Sequence, residues 1–483
     1  MEKTIENVSS NLLWRLLERF GAQGVTLIVS IVLARVLDTE VYGTVALVTV
    51  ITTILQVFVD CGLGSALVQK KDADSLDFST VFYFNFLICV ILYIGLFLLA
   101  PSISKFYNRP VLTSLIRASG LILIISGFKN IQNAYVSRHL LFKKYFFATL
   151  GGTLTAAFIG IYMAYNGMGV WSLVAQNLVN QFIDTVILWF VVKWRPTLEF
   201  SLQRLKGLFS YSWKLLISSL LDTVWNQLRQ LIIGKRYSSN DLAFYNKGNE
   251  YPYYATLALN SSIDSVLLPV MSSAQDNVHE VKMMTRRAIK TSSYILWPIM
   301  MGLASCSKAL ISVVLTDKWL PAMPYLIIFC IVYAFYPIHT ANLNAIKALG
   351  RSDLFLKLEI IKKILNLIII LCTMWFGVFW LAFGSIIGSI FGQLINSWPN
   401  RKLLNYKYKE QLSDILPYII TSVLMGLVVY TLNFLKLLNW QILVLQILVG
   451  IIFYISISYI FRIDSFYYCI SILNKLIEKK RKL

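Results

Sequence analysis

Residues 78–100 read FSTVFYFNFLICVILYIGLFLLA, a run without one charged side chain. A helix rising 1.5 Å per residue carries such a run across a hydrocarbon core of about 30 Å. A membrane barrel strand would instead alternate over segments of about 10 residues. Residues 145–166 and 415–435 repeat the continuous pattern, so the crossing elements are helices. The whole chain agrees: 57% of its 483 residues are hydrophobic, 14% are charged and the mean hydropathy is +0.66. Soluble domains run at roughly 45–50% apolar and 25% charged. The reading is an all-α, polytopic membrane protein.

Outward from that run, spans begin near Leu12, Val41, Phe78, Leu112, Tyr145, Gly169, Phe209, Leu242, Ile289, Pro321, Phe355, Val378, Ile415 and Trp440, about fourteen in all. Connectors such as Asn166-Gly167 and Phe376-Gly377 are too short to hold a domain, and the longest loop is expected at 272–290. No soluble catalytic module is expected. The chain divides into an N-terminal six-helix bundle (1–193), an amphipathic linker (194–208), a second six-helix bundle (209–400), two additional transmembrane helices (401–461) and a basic tail (462–483).

Basic residues orient the spans, because short cytoplasmic loops retain Lys and Arg. Lys70-Lys71, Arg138 with Lys143-Lys144, and the basic groups of 193–206, 282–290, 347–363, 401–409 and 462–482 hold about 29 of the 44 Lys and Arg, against about 7 in the alternate loops. Both termini are therefore expected in the cytoplasm, and most of the formal +20 charge follows from this bias and from attraction to anionic headgroups. No basic domain exists to bind nucleic acid. Residues 1–11 are polar and no small-residue cleavage site follows, so no cleavable signal peptide is expected. The six cysteines lie in or beside apolar spans without a C-x-x-C pairing, which points to neither a metal site nor a disulfide framework.

The halves of the chain resemble each other. Trp14-Arg15-Leu16-Leu17, a span and Val41-Tyr42-Gly43 correspond to Trp213-Lys214-Leu215-Leu216, a span and Ala243-Phe244-Tyr245. Six spans separate the copies, so both enter the membrane in one direction. Two pseudo-symmetric six-helix bundles follow, related by an axis along the membrane normal, and transporter sites commonly lie at such repeat interfaces.

Charge inside a span costs at least about 2.5 kcal/mol on insertion scales, so it faces a cavity or a partner. Arg15, Glu18 and Arg19 interrupt the apolar run 12–37, and Lys129, Lys214 and Arg229 fall within later spans. These cations are candidates to line a cavity for an anionic substrate. Arg15, Glu18 and Arg19 could equally form a local helical ion pair near the interface, and the lysines could snorkel. Glu18, Asp60, Asp184, Asp222 and Asp264 are candidates for a coupling proton or sodium ion, or for struts that pair with the buried bases. His339, inside a span, is a candidate proton relay. Asn85, Gln132, Asn133, Gln176, Asn177, Asn180, Gln181, Asn226 and Gln227 are the polar groups available to such a cavity.

Gly384, Gly388 and Gly392 place small surfaces on one helix face, a packing device. Trp194, Trp297, Trp319, Trp398 and Trp440 read as interfacial belts. Residues 198–209 and 465–483 read as amphipathic surface helices. No G-x-S-x-G, H-E-x-x-H or G-x-x-x-x-G-K-[ST] pattern occurs, so neither hydrolysis nor ATP-driven pumping has visible machinery and no enzyme is expected.

Several stretches resemble polysaccharide flippases of the multidrug/oligosaccharidyl-lipid/polysaccharide exporter superfamily, especially the O-antigen, colanic-acid and teichuronic-acid exporter type. They are Arg35-Val36-Leu37-Asp38 through Val41-Tyr42-Gly43, residues 60–71 (DCGLGSALVQKK), Leu231-Ile232-Ile233-Gly234 before Tyr245-Asn246-Lys247-Gly248, and Lys318-Trp319-Leu320-Pro321-Ala322. One departure is visible: the family often carries an acid just before the Leu-Ile-Gly element, where this chain has Asn226, Arg229 and Gln230. The resemblance implies alternating access through a cationic central cavity. The cargo it implies is an undecaprenyl-diphosphate-linked oligosaccharide, moved across the bacterial cytoplasmic membrane for O-antigen, capsule or exopolysaccharide synthesis. It also implies work beside a polysaccharide polymerase and glycosyltransferases, with no cofactor. A multidrug antiporter, a peptidoglycan-precursor flippase and, more distantly, an oligosaccharide polymerase are the alternatives.

Overall fold

A computed structural model describes residues 21–60 and 62–481, and every regular element among them is helical. Two compact units part between Ala243 and Phe244. The first holds α1 (Gly21–Val36), α2 (Thr39–Asp60), α3 (Leu63–Gln69), α4 (Ser75–Tyr107), α5 (Leu112–Arg138), α6 (Phe142–Tyr165), α7 (Val170–Val191), α8 (Leu202–Arg236) and the first turn of α9 (Ser239–Ser273). The second holds the rest of α9, then α10 (Val278–Ser305), α11 (Ser307–Val314), α12 (Met323–Ala334), α13 (Tyr336–Ala348), α14 (Ser352–Thr373), α15 (Val378–Ser397), α16 (Asn400–Leu403), α17 (Tyr408–Thr431), α18 (Asn439–Ile460) and α19 (Asp464–Arg481).

A helix stands at each place where the sequence predicts a span, the first being described from Gly21 onward. Among the described residues nine helices are long and apolar enough to cross a membrane, or ten if α10 and α11, which meet at 69°, form one bent span. The expected number of fourteen is thus not reached by that measure: α1 is short, and polar side chains interrupt α8, α9 and α14. Lys214, Asp222, Asn226, Gln227 and Arg229 all fall in α8.

Local capping fixes the helix starts. Asp74 accepts the N–H of Asp77 at 3.0 Å and Asp77 returns a carboxylate to the N–H of Asp74 at 3.2 Å, a reciprocal cap that opens α4. The Asp77 N–H, and after it the Arg204 guanidinium at 2.6 Å, hold the Asp74 carboxyl below its ordinary pKa. Asn277 accepts the Glu280 N–H at 3.2 Å and starts α10 at Val278, so the loop expected at 272–290 shrinks to the few residues between α9 and α10. Ser201 caps Arg204, and from Leu202 onward the expected surface helix is the beginning of the 35-residue α8.

Three glycines of the quoted stretches, Gly43, Gly234 and Gly248, are packing contacts. A Cβ on Gly43 would overlap the backbone carbonyl of Ser239, and one on Gly234 would overlap Leu47 Cδ2. Both hold α2 against the α8–α9 corner, where small residues let membrane helices approach. Gly248 plays the same part in the second unit, where a Cβ would lie 2.8 Å from Leu326 N. Gly384, Gly388 and Gly392 face Ile369, Asn366 and His339 in turn. Lys70 and Lys71 close the long glycine-containing stretch: Arg138 donates to the carbonyls of Leu67, Lys70 and Lys71 at 2.5–2.7 Å, satisfying the end of α3.

One expectation about aromatic residues is corrected. Trp319, Trp297 and Trp194 are buried rather than interfacial, Trp319 completely so and edge-on to Phe244, while Trp398 and Trp440 are exposed. Asn85 and Gln132 are buried among hydrophobic side chains; Gln132 Nε2 donates to the Trp194 carbonyl at 3.4 Å.

The C-terminal helices are tied to the second unit by neutral amides. Asn342 of α13 donates to Gln411 Oε1 of α17 at 2.8 Å, Asn400 of α16 donates to Asn342 Oδ1 at 2.6 Å, and Ser397 of α15 donates to Gln411 Oε1 at 3.0 Å. All four side chains are buried. Asn342→Ala is expected to cost about 1–3 kcal/mol, because it orphans the Asn400 and Gln411 amides away from water. Thermal unfolding of the detergent-solubilised chain measures this, and Asn342→Asp at low pH should recover part of it.

Candidate functional site

Ionisable groups are expensive inside membrane-length helices, so their arrangement within each unit locates the chemistry. Lys129 of α5 and Asp184 of α7 form an ion pair at 2.6 Å with both side chains largely buried. Lys129 also donates to Gln181 Oε1 at 3.2 Å, and Gln181 Nε2 donates to Ser126 Oγ at 2.9 Å. Gly152 of α6 admits this corner of α7: a Cβ there would come within 2.9 Å of the Asn180 carbonyl and 3.0 Å of Asp184 Cβ. Two of the sequence-predicted site residues are therefore brought together, a cation with an acid, in the manner of a strut. Asp184 Oδ1 keeps no hydrogen bond among the described residues.

The remaining first-unit candidates lie on α2 and α8. Asp60 ends α2, where Asn130 Nδ2 donates to the neighbouring Val59 carbonyl at 2.9 Å. Lys214 and Asp222 are exposed on α8, and Arg229 is half-buried on the same helix. The Arg229 Nε–H is buried without a hydrogen-bond acceptor among the described residues. A guanidinium is always charged, so an orphaned donor on it is an unmet demand for an anion or a carbonyl. Arg15, Glu18 and Arg19 lie outside the described residues, as does the side chain of Asp264.

The second unit holds its own polar interior. Lys247 and Glu250 of α9 pair at 2.6 Å, with Lys247 only 4% exposed, and Tyr333 donates to Asn249 at 3.0 Å. Tyr253, Tyr333 and Tyr336 form a run of ring contacts at centroid separations of 5.2–6.2 Å. His339 sits beside Tyr336, and Asn396 Nδ2 lies 3.1 Å from its Nδ1. An amide N–H donated there leaves the ring proton on Nε2. Lys362 and Glu359 of α14 pair at 2.6 Å, and Gly392 leaves room for His339 Cε1 and the Lys362 stem.

Sequence reasoning did not single out Glu250, Glu359, Lys362 or the three tyrosines. Lys247-x-x-Glu250 and Glu359-x-x-Lys362 carry the (i, i+3) spacing that brings helical neighbours together, which is the signal that could have found them. Among the described residues no three His, Cys, Asp or Glu side chains gather as metal ligands. What the interiors offer is cations, amides and phenol rings, the groups that bind phosphate oxygens and sugar hydroxyls.

The family model described as "Polysaccharide biosynthesis protein" matches residues 32–324. The chain belongs to that family. Within this polysaccharide biosynthesis family it is similar to the succinoglycan biosynthesis transport protein ExoT of Rhizobium meliloti (strain 1021), 24% identical over 66% of this chain and 65% of the relative. The match thus spans just under two thirds of that relative's length. It is also similar to the lipopolysaccharide biosynthesis protein WzxC of Escherichia coli (strain K12), 22% identical over 88% of each chain. In fold it is similar to a lipid II flippase, MurJ, in an inward closed conformation, with a TM-score of 0.76 at 16% identity over 94% of this chain and 99% of that one. This chain and that flippase share an all-α, multi-pass fold.

Proposed function

We propose that this chain is a flippase that moves undecaprenyl-diphosphate-linked oligosaccharide units from the cytoplasmic to the outer leaflet of a bacterial cytoplasmic membrane, by alternating access and with both termini in the cytoplasm. The observation that carries the reading is Arg229, a permanent cation whose Nε–H has no acceptor among the described residues, in a chain whose relatives are named for succinoglycan transport and lipopolysaccharide biosynthesis. Arg229 and Lys214, with Arg15 and Arg19, are the groups for the diphosphate. Asn226, Gln227, Asn177 and Gln176 supply hydrogen bonds to sugars, and the Tyr253–Tyr333–Tyr336 rings supply stacking surfaces. The prenyl tail stays in lipid. The Lys129–Asp184 pair serves as a strut, and Asp60, Asp222 and Asp264 are the candidates to bind a coupling proton or sodium ion.

Proteoliposomes carrying a fluorescent undecaprenyl-diphosphate oligosaccharide test this. The wild-type chain should exchange the label between leaflets. Lys214→Ala and Arg229→Ala, reconstituted at matched density, should slow exchange about tenfold or more, the effect of losing a charge-assisted hydrogen bond of roughly 1.5–3 kcal/mol. Unchanged rates in both variants, or efflux of cationic drugs with no exchange of several glycans, would sink the proposal.

A further inference from the structure

The second unit contains a basic crevice that the transport reading does not use. It lies where α10, α17, α18 and the start of α19 meet, and comprises two adjoining cavities of about 580 and 430 Å³ that share Lys290 and Asp464. The larger is walled by Ile420, Leu424, Ile457 and Phe461 and ends at Arg462; the smaller is rimmed by Arg286 and Arg287. α18 finishes in exposed Tyr459, Ile460 and Phe461 immediately before the charged start of α19, which places the crevice mouth where an apolar span gives way to polar sequence.

The charges do not cancel. Arg286 engages Asp414 through two bonds of 2.7 Å, and Lys290 engages Asp464 at 3.1 Å. Arg287, over the Tyr468 ring, and exposed Arg462 pair with no acid among the described residues. Arg462 also occupies a left-handed backbone position, φ 49°, where its N–H and that of Ile463 cap the end of α18 by bonding the Tyr459 and Ser458 carbonyls. Glycine is the ordinary residue at that position because it has no Cβ. Arg there keeps a guanidinium at the crevice mouth in spite of backbone strain.

We propose that this crevice binds the headgroup of an anionic diacyl phospholipid, with the phosphate between Arg462 and Lys290 and one acyl chain along Ile420, Leu424 and Ile457. An apolar wall beneath a cationic rim is the arrangement such a lipid completes. The proposal is independent of what the chain transports.

Native mass spectrometry of the full-length chain in detergent, titrated with phosphatidylglycerol and phosphatidylcholine of matched acyl chains, tests it. Phosphatidylglycerol is expected to bind about thirtyfold more tightly, given about fivefold for each of the two cations without an acid among the described residues, Arg462 and Arg287. Arg462→Gly removes the guanidinium while relaxing the backbone, so it should unfold at no lower temperature yet weaken phosphatidylglycerol about fivefold. Asp464→Asn frees Lys290 and should strengthen binding by a similar factor. Equal binding of the two lipids, or affinities unmoved by both substitutions, overturns the proposal. Displacement of phosphatidylglycerol by equimolar undecaprenyl diphosphate also overturns it, assigning the crevice to a prenyl carrier.

Discussion

Lys129→Ala is expected to lower the stability of the folded chain by about 3–5 kcal/mol, the usual cost of removing one partner from a buried ion pair. Asp184 is almost wholly enclosed, and Gln181 donates no bond that could replace the ammonium: its amide nitrogen is turned to Ser126. The carboxylate would then remain charged in an apolar site or take up a proton, and either state is unfavourable. Total stabilities are about 5–15 kcal/mol, so the variant should aggregate on extraction or melt many degrees early. Lys129→Met combined with Asp184→Leu removes both charges and their desolvation together. It should recover most of the lost stability, because apolar replacement of a buried pair is often neutral. Unfolding followed by tryptophan fluorescence in detergent separates the three chains. A single variant that melts with the wild type would mean that water reaches the pair and that it is no strut. The double variant also informs transport: if it folds but exchanges no lipid, the pair belongs to the transport cycle.

Gly43→Ala should be almost as damaging, by about 3 kcal/mol or more, at the upper end of overpacking costs. The added methyl would enter the space of the Ser239 carbonyl, and a backbone carbonyl cannot swing aside as a flexible side chain can. α2 must then separate from the α8–α9 corner along its length. Gly24→Ala is the control: among the described residues nothing lies within 4 Å of a Cβ there, and Ala in a helix is favoured over Gly by about 0.5–1 kcal/mol. Monodisperse yield and melting temperature should fall for Gly43→Ala and hold or rise for Gly24→Ala. Equal behaviour would show that α2 and the corner are looser than this contact implies.

These two residues show what was legible in the sequence. The all-α membrane class needed only continuous apolar runs, because hydrocarbon thickness fixes helix length without reference to neighbours. Gly43 and Gly234 were visible as parts of a family-like pattern, but their physical reason was not: Gly43 meets a backbone atom almost two hundred positions along the chain, and no local period encodes that. Trp319 illustrates the converse error. A Trp near the end of a span looks like a belt residue, and only tertiary packing against Phe244 shows it to be core. The burial of Asn85 and Gln132 was equally hidden, since an amide in a span can face water or another helix with the same local sequence. Lys129 and Asp184 were both read as candidates, yet their pairing joins helices fifty-odd positions apart and carried no spacing signal. Lys362 and Glu359, three apart on one helix, did carry it.

The amide joint of Asn342, Ser397, Asn400 and Gln411 has a consequence for how the protein answers its surroundings. None of its members titrates and none is charged, so acid, alkali and salt leave its strength unchanged. This hold on α17 is therefore indifferent to acid and salt, whereas the second hold on the same helix, the Arg286–Asp414 pair, is not. A response of the second unit to pH or salt would thus begin at its carboxylates, with Asp414 gripping the very helix that the amides hold fast.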